Sequence, residues 1–198
     1  FAAESLVRSG IGKVTLIDFD EICITNFNRQ LHALQGQVGE KKAEVMAERL
    51  KKVNPQVQIH AMVKFYNERF SAEIFKEATE AQGQAPDYVV DAIDSVTSKC
   101  HLIDYCFKNK IPLITSTGSA AKMNPTKMKI DDLANTNIDP LARSLRKILR
   151  DEYGYPQFGE FGIQAVYSDE ATREPKELHY DNGKGFRCIC PQGQKEFL

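Results

Sequence analysis

No apolar run in the chain approaches the roughly 20 residues that a membrane-spanning helix needs, so no membrane span is expected within its 198 residues. Neither sign of charge is in excess. Lys plus Arg number 26 and Asp plus Glu 27, so overall charge selects no partner and any basic surface must be local. There is no C-x-x-C, and the five cysteines form no framework of repeated spacings. With no secretory leader either, these absences point to a reducing, intracellular setting rather than a disulfide scaffold. Internal repeats and low-complexity tracts are also missing. Phe1 opens inside an amphipathic helix with no strand before it, and Leu198 follows a polar stretch without completing an element, so the chain reads as a fragment cut at both ends. What is present suits one α/β domain with a small appendage: an apolar share of 42% is enough for a core.

The opening helix should end at Ser9 and Gly10, where Gly10 and Gly12 turn the chain into a strand over Lys13–Ile17. Ala43, Met46, Ala47, Leu50 and Val53 recur at helical spacing, so a helix is expected from Val38 and Gly39 through Val53, closed by Asn54 and Pro55. Residues 57–63 alternate as a strand, with His60 on one face as a packing or surface residue. Ser71 is placed to cap a helix carrying Ile74, Phe75 and Ala78. A strand at 88–92, a helix striped by Val96, Cys100, Ile103 and Phe107, and a strand at 111–115 follow. Beyond a small-residue loop from Ser116, a short strand is expected at 127–130. Asp139 and Pro140 should open a helix with Leu141, Leu145, Ile148 and Leu149 inside, and a strand is expected at 163–167, then polar loop. Strands alternating with helices imply a doubly wound, Rossmann-like, mostly parallel sheet with helices on both faces. Its first strand and glycine-rich turn lie outside the fragment.

Two strands end in acid. The run Val14, Thr15, Leu16, Ile17 stops at Asp18, Asp20 and Glu21, followed by Asn26, Asn28, Arg29 and Gln30, and the strand at 88–92 leads into Asp91 and Asp94. In a doubly wound domain an acid at the end of the second strand accepts hydrogen bonds from a nucleotide ribose, and an arginine shortly after can meet phosphate oxygens with its planar fork. A charged loop that merely caps a strand would look the same. In one parallel sheet both acidic strand ends should fall on one edge.

With these motifs in hand, the chain resembles the adenylating superfamily of ubiquitin-activating-type enzymes. Its signature, close to D-x-D-x-(V/I)-x-x-(S/T)-N-x-x-R-Q, stands here as Asp18, Asp20, Ile22, Thr25, Asn26, Arg29 and Gln30. A G-x-x-K-A helix start is present as Gly39, Lys42 and Ala43, and a D-x-x-D strand end as Asp91 and Asp94. Within the superfamily, NRQLHAL, VGEKKAEVMAERLKKVNP, VVDAIDSV, NKIPLITSTG, NPTKMKIDDLANTNIDPLA and VYSDE look like the tRNA threonylcarbamoyladenosine dehydratases. The likeness runs over residues 1–170, with residues 171–198 a polar loop or insertion.

The resemblance implies ATP and Mg²⁺ as cofactors. Asp18 would hold the ribose hydroxyls, Asn26, Arg29 and Lys42 would stabilise phosphate charge, and Asp94 would hold the metal. Asp20, Gln30 and Ser95 complete the expected ATP site, with Arg29, Lys42 and Asp94 as its catalytic members. It further implies tRNA carrying N6-threonylcarbamoyladenosine as substrate, a homodimer, and a cytoplasmic or mitochondrial location. Ring closure within the substrate needs no enzyme nucleophile, so Cys23, Cys100 and Cys106 are expected to be structural, and the C-x-C of Cys188 and Cys190 a pair of loop thiols. Arg143, Arg146, Lys147 and Arg150 are candidates for tracking tRNA phosphates. Two rivals remain: an enzyme of the same fold adenylating the C-terminal glycine of a ubiquitin-like or sulfur-carrier protein, and a non-catalytic adaptor.

Overall fold

The structure, a computed structural model, describes residues 1–173. These divide into two compact units, residues 1–66 with 76–84 and residues 67–75 with 85–173. The expected boundary near residue 170 lies at the limit of this description, and Cys188 and Cys190 fall outside it.

The first unit opens with α1 (Ala2–Arg8), whose end is turned by Gly10 at φ +93°, a conformation that costs a residue without a side chain little. It continues through β1 (Lys13–Ile17), α2 (Lys42–Val53) and β2 (Gln58–Met62). The strands pair in parallel with Lys13 opposite Gln58 and Ile17 opposite Met62. The core between helices and sheet is built from Val7, Met46, Leu50 and Val57, with Val14, Leu16 and Ile59 packed against it. Full burial of Leu50 alone stabilises the unit by about 1.5–3 kcal/mol. Glu4 of α1 lies between Arg8 and Arg49, at 2.8 and 2.6 Å, and the two guanidiniums hold its carboxyl below the ordinary range while tying α1 to α2.

Two expectations shift, one in the first unit and one at residues 67–71 of the second. Helix α2 begins at Lys42 rather than near Gly39, because the Gly39 amide donates to the Ile22 carbonyl and the Ile22 amide to that of Glu40, committing this stretch to a bridge between Glu21 and Lys41. Ser71 does not act as the expected cap of α3 (Ser71–Gln82): its hydroxyl donates to the Glu68 carbonyl, and Asn67 accepts the Phe70 amide at a preceding short turn. The last residue of α3 reaches β1, with the Gln82 amide group donating to the Val14 carbonyl and Lys13 Nζ to the Gln82 carbonyl.

The second unit holds β3 (Val89–Asp91), α4 (Val96–Lys108), β4 (Leu113–Ser116), β5 (Met128–Asp132), α5 (Pro140–Tyr153) and β6 (Gln164–Ser168). Its sheet order is β3-β4-β6-β5, parallel except for the antiparallel β5. Asp139 caps α5 by accepting the Ala142 amide at 2.7 Å and Pro140 fills the first turn, as expected, and Gly154 closes the helix in the left-handed region. The buried stripe of α4 is Lys99, Cys100, Ile103 and Cys106. Phe107, expected inside, is 51% exposed and its ring lies tilted against that of Tyr155.

The α/β class and its mainly parallel pairing stand. Within the first unit β1 hydrogen-bonds to β2, and within the second β3 hydrogen-bonds to β4. No described helix is long and apolar enough to cross a membrane.

Candidate functional site

In the first unit the acidic loop after β1 is wired internally. The Asp18 amide extends the β1–β2 ladder by donating to the Met62 carbonyl, while Asp18 Oδ1 accepts the Asp20 amide at 2.9 Å. Asp20 then grips both ends of Lys42: its carbonyl accepts the Lys42 amide at 3.0 Å and its Oδ2 takes the ammonium at 2.6 Å. The Lys42 side chain is 9% exposed and that of Asp20 44%. Beside them Lys41 pairs with Glu21 at 2.7 Å. A lysine whose stem is buried and whose charge is met by a half-exposed carboxylate can exchange that partner for a phosphate at modest cost.

The short turn Ile24–Asn26 follows. Asn26 is buried and its Oδ1 accepts the Cys23 amide at 2.9 Å, so at least its oxygen builds the loop. Arg29 is exposed, its Nη1 donating to the Thr25 carbonyl and to Asn28 Oδ1 at 2.8 and 2.9 Å, which leaves other guanidinium donors facing outward. Gln30 Oε1 and His32 Nε2 are buried atoms with no hydrogen-bond partner. Burial, assisted by the Lys42 charge, lowers the His32 pKa and keeps the ring neutral.

Asp94 and Ser95 belong to the second unit, in the link from β3 to α4, where both are exposed and Ser95 is the residue before the first helical turn. Among the described residues no cluster of His, Cys, Asp or Glu could hold a metal by itself. One accessible carboxylate nonetheless suits Mg²⁺, which commonly takes one or two protein oxygens and completes its octahedron with water and substrate phosphates. Beneath this link lies a group that the sequence reading missed: Lys99, with no exposed surface, pairs with Asp91 at 2.8 Å, and Thr115 donates to the same carboxylate at 2.7 Å. The signal was available, because Lys99 sits three residues after Val96 and one before Cys100, on the apolar stripe, where an unpaired ammonium would be prohibitive.

The basic residues of α5 separate into two pairs. Arg143 and Lys147 are exposed, whereas Arg146 donates to Thr136 Oγ1 and Arg150 donates to the Pro156 carbonyl and lies over the Phe161 ring at 5.1 Å. Burial, with the charges of Arg150 and Arg143, lowers the Arg146 pKa. His60 makes a long 3.5 Å contact with Glu77, whose other oxygen is held by Lys64, so it is a partly exposed packing residue as expected. Cys23, Cys100 and Cys106 are buried and, among the described residues, joined in no disulfide, in keeping with structural roles.

Against this geometry the comparisons are consistent. Residues 1–157 match the ThiF family. The tRNA threonylcarbamoyladenosine dehydratase of Escherichia coli is 43% identical over 89% of this chain, which spans 64% of that relative's length. The enzyme of the same name from Bacillus subtilis is 39% identical over the whole chain and 75% of its own length. The crystal structure of E. coli tRNA N6-threonylcarbamoyladenosine dehydratase, TcdA, in complex with ATP superposes with a TM-score of 0.81 at 44% identity, covering 88% of this chain and 70% of that one. The chain therefore belongs to the ThiF family and, within it, groups with the tRNA threonylcarbamoyladenosine dehydratases.

Proposed function

We propose that the protein containing this chain dehydrates N6-threonylcarbamoyladenosine in tRNA, at position 37 beside the anticodon, at the expense of ATP. The observation that carries this reading is the wired loop at the end of β1, where Asp20 presents the nearly buried Lys42 as a cation ready to change partners. It is joined by the likeness to dehydratases along nearly the whole chain.

A carboxylate becomes electrophilic only when one of its oxygens turns into a good leaving group. The substrate carboxylate attacks the α-phosphorus of ATP and displaces pyrophosphate. A nitrogen of the threonylcarbamoyl group then attacks the acyl carbon, the acyl–oxygen bond breaks and AMP departs with the electron pair, leaving a cyclic hydantoin. One water is lost from the nucleoside overall, its oxygen retained in AMP. Catalysis of this kind is chiefly positioning and charge neutralisation. Asp18 takes the ribose hydroxyls. Arg29 and Lys42 meet the phosphate charge that builds as pyrophosphate leaves, and Asp20, Asn26 and Gln30 support the loop that carries them. Asp94 would hold Mg²⁺, which would supply neutralisation of phosphate charge.

The tRNA backbone is tracked by α5, chiefly through Arg143 and Lys147, because Arg146 and Arg150 are engaged within the unit. The protein works as a homodimer inside the cell, in the cytoplasm or at mitochondria. A monomeric mass from light scattering would overturn the dimer, and fractionation of cells expressing the tagged full-length protein distinguishes the two locations.

The deciding experiment incubates full-length protein with ATP, Mg²⁺ and threonylcarbamoylated tRNA, then digests the tRNA and weighs the nucleoside. Loss of one water, dependent on ATP and abolished in Arg29→Ala and Asp94→Ala, is expected. An unchanged mass with pyrophosphate exchange driven by a ubiquitin-like protein would replace this reading with adenylation of a protein C-terminus. Silence in both assays would favour an adaptor. In parallel, charge reversal at Arg143 and Lys147 should weaken tRNA binding and flatten its salt dependence. An unaltered salt slope removes α5 from the interface.

A further inference from the structure

The fully buried cluster of Asp91, Lys99 and Thr115 is used by none of the chemistry above. Lys99 and Asp91 side chains have no exposed surface, so neither can touch a ligand. Their register follows from the fold. Asp91 ends β3 directly opposite Thr115 of β4, which brings the threonine hydroxyl to 2.7 Å from Asp91 Oδ2. Lys99 lies one turn into α4, on the face that also buries Cys100 and Ile103, and its side chain runs back to the strand end.

What the cluster holds is the link itself. Asp91 Oδ1 accepts the Ile93 amide at 3.0 Å, Lys99 Nζ donates to the Ile93 carbonyl at 2.9 Å, and the Lys99 amide donates to the Ser95 carbonyl at 2.9 Å. The amide and the carbonyl of Ile93 are thus both held by the side chains of one buried ion pair, while the bond from the Lys99 amide to the Ser95 carbonyl is the first main-chain turn of α4. Asp94, exposed, follows Ile93 directly. An apolar pair of similar volume would give comparable stability, since the desolvation of two ions largely cancels their attraction. An apolar pair could not grip a backbone amide and carbonyl at once.

We infer that Asp91, Lys99 and Thr115 are positioning residues that fix the backbone at Ile93, immediately before Asp94, and so set where its carboxylate meets the Mg²⁺ of a bound nucleotide. The inference rests on the reading of Asp94 as the metal-holding carboxylate. Outer groups that orient a ligand side chain commonly govern metal affinity by about 10–100-fold.

The test measures binding of a fluorescent ATP analogue to full-length protein while Mg²⁺ is titrated, with thermal melting alongside, for wild type, Lys99→Met, Lys99→Arg, Thr115→Val, Thr115→Ser and Asp94→Asn. Lys99→Met is expected to raise the Mg²⁺ concentration for half-maximal binding about tenfold, with metal-free nucleotide binding unchanged and Lys99→Arg restoring most of the loss. Thr115→Val shifts the requirement in the same direction by less, Thr115→Ser restores it, and this pair decides the matter if Lys99→Met fails to fold. A purely structural cluster would lower the melting temperature and leave the Mg²⁺ requirement alone, which overturns the inference. A wild-type Mg²⁺ requirement in Asp94→Asn would instead sink the metal role of Asp94, and the positioning role with it. The two failures are told apart by which substitution is silent.

Discussion

Replacing Lys42 with methionine separates binding from stability. Methionine keeps the apolar stem that packs in the first unit and removes only the ammonium. The lost ion pair is short, at 2.6 Å, but its acidic partner is 44% exposed and rehydrates when the lysine goes, so its net contribution is that of a surface pair, about 0.2–1 kcal/mol. In a domain of this size a loss of about 1 kcal/mol lowers the melting temperature by about 2–4 °C. Loss of one hydrogen bond to a charged phosphate costs about 1.5–3 kcal/mol of binding, which is about a 10- to 150-fold rise in the ATP dissociation constant. Titration calorimetry with ATP and a melting curve on the same full-length sample read both quantities. An ATP affinity within twofold of wild type, in a protein that melts normally, would refute Lys42 as a phosphate ligand. A fall of more than about 10 °C would show instead that Lys42 is a structural element whose pair was undervalued.

Two further outcomes follow from burial in the second unit. Asp139 both caps α5 and meets Lys122 at 3.3 Å, with that lysine's side chain only 6% exposed, and a Cβ added at Gly118 would lie 3.0 Å from its carboxylate. Asp139→Ala should therefore cost about 3–5 kcal/mol in denaturant unfolding by stranding the ammonium; a loss below 1 kcal/mol would rule out the pairing. Burial pushes the thiols of Cys100 and Cys106 up to about 12 from a reference of 9.0. Their folded pKa is raised, so their contribution to stability is intact below about pH 9 and is lost as pH climbs from there toward 12. Iodoacetamide at pH 8 should spare both until the protein unfolds, and labelling at the rate of a free thiol would overturn this.

Much of this arrangement was legible in the sequence where a local signal and the tertiary structure agree. Asp139 and Pro140 carry start chemistry that needs no partner, and α5 begins where they say. The run into Asp18 reads as a strand end because apolar character stops there, and β1 ends one residue earlier. The misses share a cause. Gly39 sits at φ +92°, outside the helical region, and the bridge to Glu21 and Ile22, some twenty residues back, holds this stretch there. Ser71 has the chemistry of a cap, but Asn67 upstream supplies the turn first. Phe107 and Cys106 are adjacent and both apolar, and spacing alone could not tell which faces the interior: the thiol is wholly buried and the ring stays at the rim. Lys99 was overlooked because a lysine is read as a surface residue until its carboxylate, eight positions earlier on another element, is known.

Lys42 with Asp20 and Lys99 with Asp91 pair the same two residue types at nearly the same distance, 2.6 and 2.8 Å, yet burial gives them opposite capacities. Opening the first returns a half-exposed carboxylate to water, so an incoming phosphate can take the ammonium for little more than the exchange of one anion for another. Opening the second would leave two ions in a space that water does not reach, a loss of about 3–5 kcal/mol with nothing to replace it. The first pair can therefore serve a ligand that comes and goes, and the second only a geometry that must not move. Methionine at each position should accordingly give contrasting profiles: at Lys42 a loss of nucleotide affinity with stability nearly kept, and at Lys99 a marked fall in stability with nucleotide affinity lost only where Mg²⁺ is limiting. Identical profiles for the two substitutions would mean that burial does not separate their roles.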